Sequence, residues 1–456
     1  TGIVEKQASQ QINTTVELGG IDIDFLDEIV LEDLYVEDQR GDTLLYSSRF
    51  RVAFDLWPAL KKTVSIRTVE IQSMYANLYQ LPGSDALNFE FIPEAFASSD
   101  TIQQSQDTTS SAWNIQANEL LLGDIRFRYD ADSTNMQLTL RKLNLLFDKI
   151  SLEEELIRAD KIDIDGLAFR MQTPATSADS TEQQASDTTD SDIINPSGYT
   201  FEAALLDIAN SEIDYLVGQS PQQDTLPQPM DFENLSLTQI QTQIENIFVG
   251  AKKISLNLPG MAFTEANSGF RLENFSAQAT LDLPAVQVSV SDLRTGYSDL
   301  NGTIDYGMQL SENTAELMNS IYLRSELDET VLGMQDVGYF SDALETYPSL
   351  EALEARLSWQ VNVENVQGSL DELSLSIPDK ADMQAKAAFR DLAALDSATS
   401  GSPYIDIQLT EFNTNYAFLS SVLDDSTAQY LERFQQKNLF LTAQAQGHLD
   451  DLQADL

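Results

Sequence analysis

The chain has a single histidine, no cysteine and 73 acidic residues, so any chemistry it performs must rest on carboxylates. Three acidic pairs, Asp22/Asp24, Asp163/Asp165 and Asp130/Asp132, have the i, i+2 spacing that puts both carboxylates on one face of a strand. Such pairs could serve glycosidase-like acid and base chemistry. In so acidic a chain they arise by chance, and a solvated strand face is the simpler reading. Asp130-Ala131-Asp132-Ser133-Thr134-Asn135 opens like a calcium loop but lacks the glycine at its sixth position and the closing bidentate glutamate. His448 lies beside a glycine and two acids where a sister segment has Ser369, which reads as a solvated turn. No G-x-x-x-x-G-K, G-x-G-x-x-G or G-x-S-x-G occurs, so nucleotide and acyl-transfer chemistry lose their usual supports. The expectation is a protein that is not an enzyme and carries no cofactor or metal.

The elements that would position such residues are strands. Apolar residues alternate at Phe50, Val52, Phe54 and Leu56, at Val286, Val288 and Val290, and at Leu357, Trp359, Val361 and Val363, the period of a sheet with one apolar side. Helical spacing is confined to Met334–Tyr347 and Ala417–Gln436, with shorter candidates after Trp57-Pro58 and near Ile150–Ile157. Residues 98–111, 174–197 and 218–229, rich in Ser, Thr, Asp, Gln and Pro, read as mobile polar loops.

Repetition organises the strands. Leu31-Glu32-Asp33-Leu34-Tyr35-Val36 returns loosely as Leu122-Gly123-Asp124-Ile125-Arg126-Phe127 and again as Ala209-Asn210-Ser211-Glu212-Ile213-Asp214-Tyr215, at intervals of about 90 residues. A second phrase, Phe54-Asp55-Leu56 leading to Val64-Ser65-Ile66, keeps step with it. Toward the C-terminus, Gly368-Ser369-Leu370-Asp371-Glu372-Leu373 and Gly447-His448-Leu449-Asp450-Asp451-Leu452 read as equivalent turns. The expected organisation is a region over residues 1–320 with about three repeats, followed over 321–456 by two further repeats, each with a helix. Repeats that each leave an apolar side uncovered must stack. The fold class is therefore mainly β, an elongated, repetitive, twisted sheet forming an open groove with a few short helices.

A net charge of −47 argues against nucleic acid as a partner, because the phosphate-neutralising term would be repulsive. No stretch approaches the roughly 18 apolar residues of a membrane-spanning helix. What remains is the apolar side, read as an open trough lined by Val64, Ile66, Leu138, Leu140, Val286, Val288, Trp359, Val361, Leu439 and Leu441. An ordinary closed sandwich or barrel core is the competing reading.

The run from Leu31 to Tyr46, continuing through Val64-Ser65-Ile66-Arg67-Thr68-Val69-Glu70-Ile71 and Tyr75-Ala76-Asn77-Leu78-Tyr79, resembles the AsmA-like region of the TamB family, as do the two glycine-led phrases. The resemblance implies a β-taco groove that conducts phospholipid between inner and outer membrane. It further implies a periplasmic location in a Gram-negative bacterium, an inner-membrane anchor outside this segment, and an outer-membrane barrel partner of the Omp85 type. An assembly or chaperone role toward outer-membrane β-barrel proteins is the alternative, and a purely structural or adhesive solenoid a third.

Overall fold

The computed structural model describes residues 2–24, 27–55, 63–97, 114–131, 134–174, 193–218, 229–311, 313–341, 350, 352–391, 402–423, 429, 431–435 and 437–455. The polar segments expected to be loops, and the helix candidate after Trp57-Pro58, lie largely outside the described residues. The protein is mainly β; among the described residues 21 strands belong to one mixed sheet, with a few short helices. It divides into two compact units: Thr1–Ser191 with Asn195–Asp224 and Asp231–Ala251, and Lys252–Leu456 with Asp192–Ile194 and Thr225–Met230.

The first unit contains β1 (Val16–Asp24), β2 (Glu28–Glu37), β3 (Thr43–Asp55), β4 (Thr63–Tyr79), β5 (Asn114–Ala131), β6 (Thr134–Ser151), β7 (Leu156–Thr173), β8 (Thr200–Val217) and β9 (Asn234–Val249), with helices α1 (Gly2–Ile12) and α2 (Phe91–Ala97). Each strand pairs with its neighbour in sequence. The pairings are antiparallel except β4 with β5 and β7 with β8, which are parallel. The recurring phrases fall on β2, β5 and β8. The helix expected near Ile150–Ile157 is instead a hairpin, Ile150 facing Ile157 across a turn at residues 152–155. Its apolar spacing is explained by β6 and β7 running to its two sides, so cross-strand pairing takes precedence over local helical periodicity.

The second unit contains β10 (Lys253–Glu265), β11 (Arg271–Asp282), β12 (Ala285–Thr295), β13 (Asp299–Leu300), β14 (Gly302–Gln309), β15 (Tyr322–Gly333), β16 (Glu354–Glu364), β17 (Gln367–Ile377), β18 (Ala381–Arg390), β19 (Tyr404–Asn415), β20 (Asn438–His448) and β21 (Asp451–Asp455), with helices α3 (Thr314–Ser320), α4 (Met334–Phe340) and α5 (Tyr416–Val422). It is an antiparallel meander in which β13 and β14 share β12 as neighbour. The two glycine-led phrases are not equivalent turns. Gly368 to Leu373 is part of strand β17, following a two-residue turn at Asn365 and Val366, which both have positive φ. Gly447 precedes its turn, at φ 142°, where a Cβ would sit 2.4 Å from the Asp451 carbonyl oxygen.

Candidate functional site: a creased apolar sheet side

In the first unit the alternation of apolar residues slips once in nearly every strand. On β5 it runs Leu120, Leu122, then Ile125, Phe127; on β7, Ile162, Ile164, then Leu167, Phe169; on β2, Ile29, Leu31, then Leu34, Val36. A three-residue step would turn the second half of each strand's apolar side chains to the opposite face. The structure takes up the odd residue in the left-handed region: Asp33 (φ 47°), Ser73 (φ 50°), Asp124 (φ 52°), Gly166 (φ 68°) and Asn210 (φ 50°). Left-handed backbone is tolerated best by Gly, Asn and Asp, which explains most of this composition.

These residues stand in register. Ser73 and Asp124 are skipped together between the pairs Gln72/Gly123 and Tyr75/Arg126, and Gly166 and Arg141 between Lys142/Asp165 and Leu140/Leu167. The result is a crease running across the strands, at which each one bends as at a bulge. Side chains at and just past it are deeply buried: Ile125 is 4% exposed, Leu140 7%, Ile240 7%, and Ser47 and Ser211 2% each. Deep burial at the bend marks this as its inner side. Apolar rows flank it, Phe127, Leu138, Phe169 and Ile213 on one side and Leu122, Leu143, Ile164 and Ile208 on the other.

The hydroxyls at the inner corner are consumed by the crease. Ser47 Oγ donates to the Gln72 carbonyl at 3.1 Å, and the Leu167 N–H donates to Ser211 Oγ at 3.2 Å while that hydroxyl donates to the Ala209 carbonyl at 2.9 Å. They satisfy backbone groups that the interrupted ladder leaves over, so the inner side makes little polar demand on a ligand. The outer side is charged: Arg51 pairs with Glu28 and Glu70, Lys161 with Asp163, and Arg170 with Asp214. Asp165 accepts from Asn210 and from Arg141, contacts that hold its carboxyl below the usual carboxylate range. Asp165 is thus engaged across strands and Asp163 with Lys161 along its own strand; the side chains of Asp24 and Asp132 lie outside the described residues.

The second unit is creased on alternate strands. The slip falls between Leu327 and Thr330 on β15, between Leu370 and Leu373 on β17 and between Leu409 and Phe412 on β19, while β16, β18 and β20 alternate without a break. Asn301, Asp328, Glu329 and Ser358 hydrogen-bond one another across its corner. Leu327 (5% exposed), Ser325 (2%) and Ala277 (6%) are buried.

Of the ten residues expected to line a trough, Val64, Ile66, Leu138 and Leu140 belong to the first unit. Leu140 is at the corner, Leu138 half-buried between Phe127 and Phe169, and Ile66 half-buried opposite Phe54 and Ala117. Val64 pairs with Ile115 by its backbone, but its side chain lies outside the described residues. In the second unit Val286 and Val288 are half-buried opposite Met308 and Tyr306. Trp359 lies at the corner opposite Leu327 and Leu373, its indole N–H donating to Ser325 Oγ at 2.9 Å, and Val361 faces Leu370. Leu439 faces Thr414, and Leu441, 40% exposed, faces Phe412.

Reading for chemistry overlooked the crease, although the three-residue step in the apolar alternation is its signature. The helical spacing from Met334 falls on α4, but that helices cover part of each apolar side was not read. Ile12 of α1, with Phe91 and Ile92 of α2, packs on Val16, Val36 and Leu78. Tyr339 of α4 packs with Phe270 and Leu272, joined by Met261, Phe263, Phe275 and Leu293. His448 is exposed, its Nδ1 2.7 Å from the Ser402 carbonyl and its ring edge-on to Tyr404. Among the described residues no group of three or more His, Asp or Glu side chains is placed to hold a metal ion. No known family model and no curated protein matches the chain.

Proposed function

We propose that the chain binds the acyl chains of phospholipid on the creased apolar side of its sheet and lets them pass along it without catalysis. The observation that carries this reading is the apolar side itself: aliphatic rows only half-buried away from the corner, with the corner hydroxyls turned to the backbone. A lipid with roughly 30 methylenes costs on the order of 20 kcal/mol to draw into water at ~0.8 kcal/mol per CH₂, and such a surface removes much of that barrier. The charged outer side keeps the body solvated. The envelope setting, a periplasmic chain working between two membranes with a barrel partner, comes from the sequence resemblance to the AsmA-like region of the TamB family.

Native mass spectrometry of the purified protein tests the reading, with co-purifying phospholipid as the expected result; a lipid-free protein counts against it. Photo-crosslinkers at Val288 and Trp359 are expected to capture lipid. Capture of polypeptide instead would favour the assembly role. Val361→Asp places a charge on the inner side and is expected to abolish lipid capture with the circular dichroism spectrum unchanged; unfolding would favour a closed core.

A further inference from the structure

In the second unit, α4 occupies part of the same apolar side on which the proposed function depends. Phe270 makes T-shaped contacts with two α4 rings, Tyr339 at a centroid distance of 5.6 Å and Phe340 at 5.2 Å. Tyr339 is 5% exposed, whereas Phe340 touches Phe270 and is still 56% exposed.

The helix itself is weakly founded. It has seven residues, below the length at which a helix holds in water, and Gly333 at its N-cap offers no side-chain cap. At its start the Met334 N–H donates to the Leu353 carbonyl at 2.9 Å. The Met230 N–H donates to the Tyr339 carbonyl at 2.8 Å, and Asp336, 6% exposed, accepts from the hydroxyls of Thr295 and Ser298 through one carboxylate oxygen. The other carboxylate oxygen of Asp336 is buried without a partner. Opening would hydrate it, so the latch carries its own incentive to release.

We infer that α4 is a displaceable plug: it covers the acyl path over Phe270, Leu272, Phe275 and Leu293, latched by Asp336 on Thr295 and Ser298, and an arriving acyl chain replaces it. The inference rests on the proposed function, because the ligand and the helix compete for one surface. A ligand shifts such an equilibrium only by its preference for the open form. An acyl chain has that preference because α4 covers the surface it would occupy.

The test uses the full chain and palmitoyl lysophosphatidylcholine below its critical micelle concentration, a zwitterionic single-chain probe that the −47 charge does not repel. Binding is followed by calorimetry and opening by hydrogen exchange of residues 334–340. The probe is expected to speed exchange in α4 by about tenfold, and Asp336→Ala is expected to bind it about fivefold more tightly, since a larger open fraction raises apparent affinity in proportion. Binding with α4 exchange unchanged or slowed overturns the plug and leaves the lipid reading standing. No binding by either protein overturns both. Should Asp336→Ala fail to fold, Thr295→Val removes one half of the latch, and the wild-type exchange measurement decides by itself.

Discussion

At the scale of single residues the most demanding site is a polar knot away from the apolar side. Asp38, 2% exposed, accepts from Tyr79 Oη at 2.5 Å, from Asn88 Nδ2 at 3.2 Å and from the backbone N–H groups of Arg40 and Asp42. Burial pushes its carboxyl up, but the hydrogen bonds from Tyr79, Asp42, Arg40 and Asn88 together outweigh it and hold Asp38 below its ordinary value. The same burial, with the Asp38 carboxylate beside it, pushes the Tyr79 phenol up. Tyr79→Phe should therefore cost about 1.5–3 kcal/mol at neutral pH, as for a hydrogen bond to a charged group. A depressed acid stabilises above its unfolded pKa and loses that as pH falls through the folded one; a raised phenol stabilises below about pH 10 and loses that above it. The gap between wild type and variant in urea unfolding should hold from about pH 5 to about pH 9 and narrow at both extremes. A gap of constant size at pH 2 would show that packing, not ionisation, accounts for it.

At the scale of elements, the crease is what turns alternating strands into a bent sheet with one apolar side. Asp124 illustrates its logic, standing at φ 52° between two apolar stretches. Asp124→Gly should leave stability within about 1 kcal/mol, because glycine adopts this backbone freely. Asp124→Val should cost roughly 1–3 kcal/mol, because a β-branched residue resists it. Deleting Asp124 is the harsher experiment: it leaves Leu122 and Ile125 two apart in an unbroken strand, so β5 must lose either its bend or its register with β4 and β6. That variant is expected in the insoluble fraction, and a soluble protein with wild-type thermal midpoint would refute the role given to the crease. The strands were legible from period-two alternation and the phrases on β2, β5 and β8 from repetition. The bend was not read, because a three-residue step looks like noise until the neighbouring strands are seen to slip at the same level.

At the scale of the whole molecule, charge dominates. A net −47 on 456 residues means that the ion pairs of the outer side engage only a minority of the carboxylates, and the rest repel one another across solvent. Exposed pairs contribute little individually and are screened by salt, whereas the repulsion is summed over the whole chain. Raising NaCl from 20 mM to 500 mM should therefore raise the thermal midpoint, by several degrees on the order expected for 1–2 kcal/mol. A midpoint that falls with salt would mean that the specific ion pairs outweigh the general repulsion.

Composition and alternation by themselves determined that this is an acidic, mainly β chain with one greasy and one charged side to its strands, since those properties follow from residue type and a period of two. Which residues bend the strands, which hydroxyls satisfy the interrupted ladder, and which helices lie over the apolar rows were decided only in three dimensions. Each depends on partners far apart in sequence: Ser211 bonds the Leu167 backbone, Tyr79 closes on Asp38, and Tyr339 meets Phe270. Local preference specifies none of these contacts, because the free energy that selects them appears only when distant segments pack.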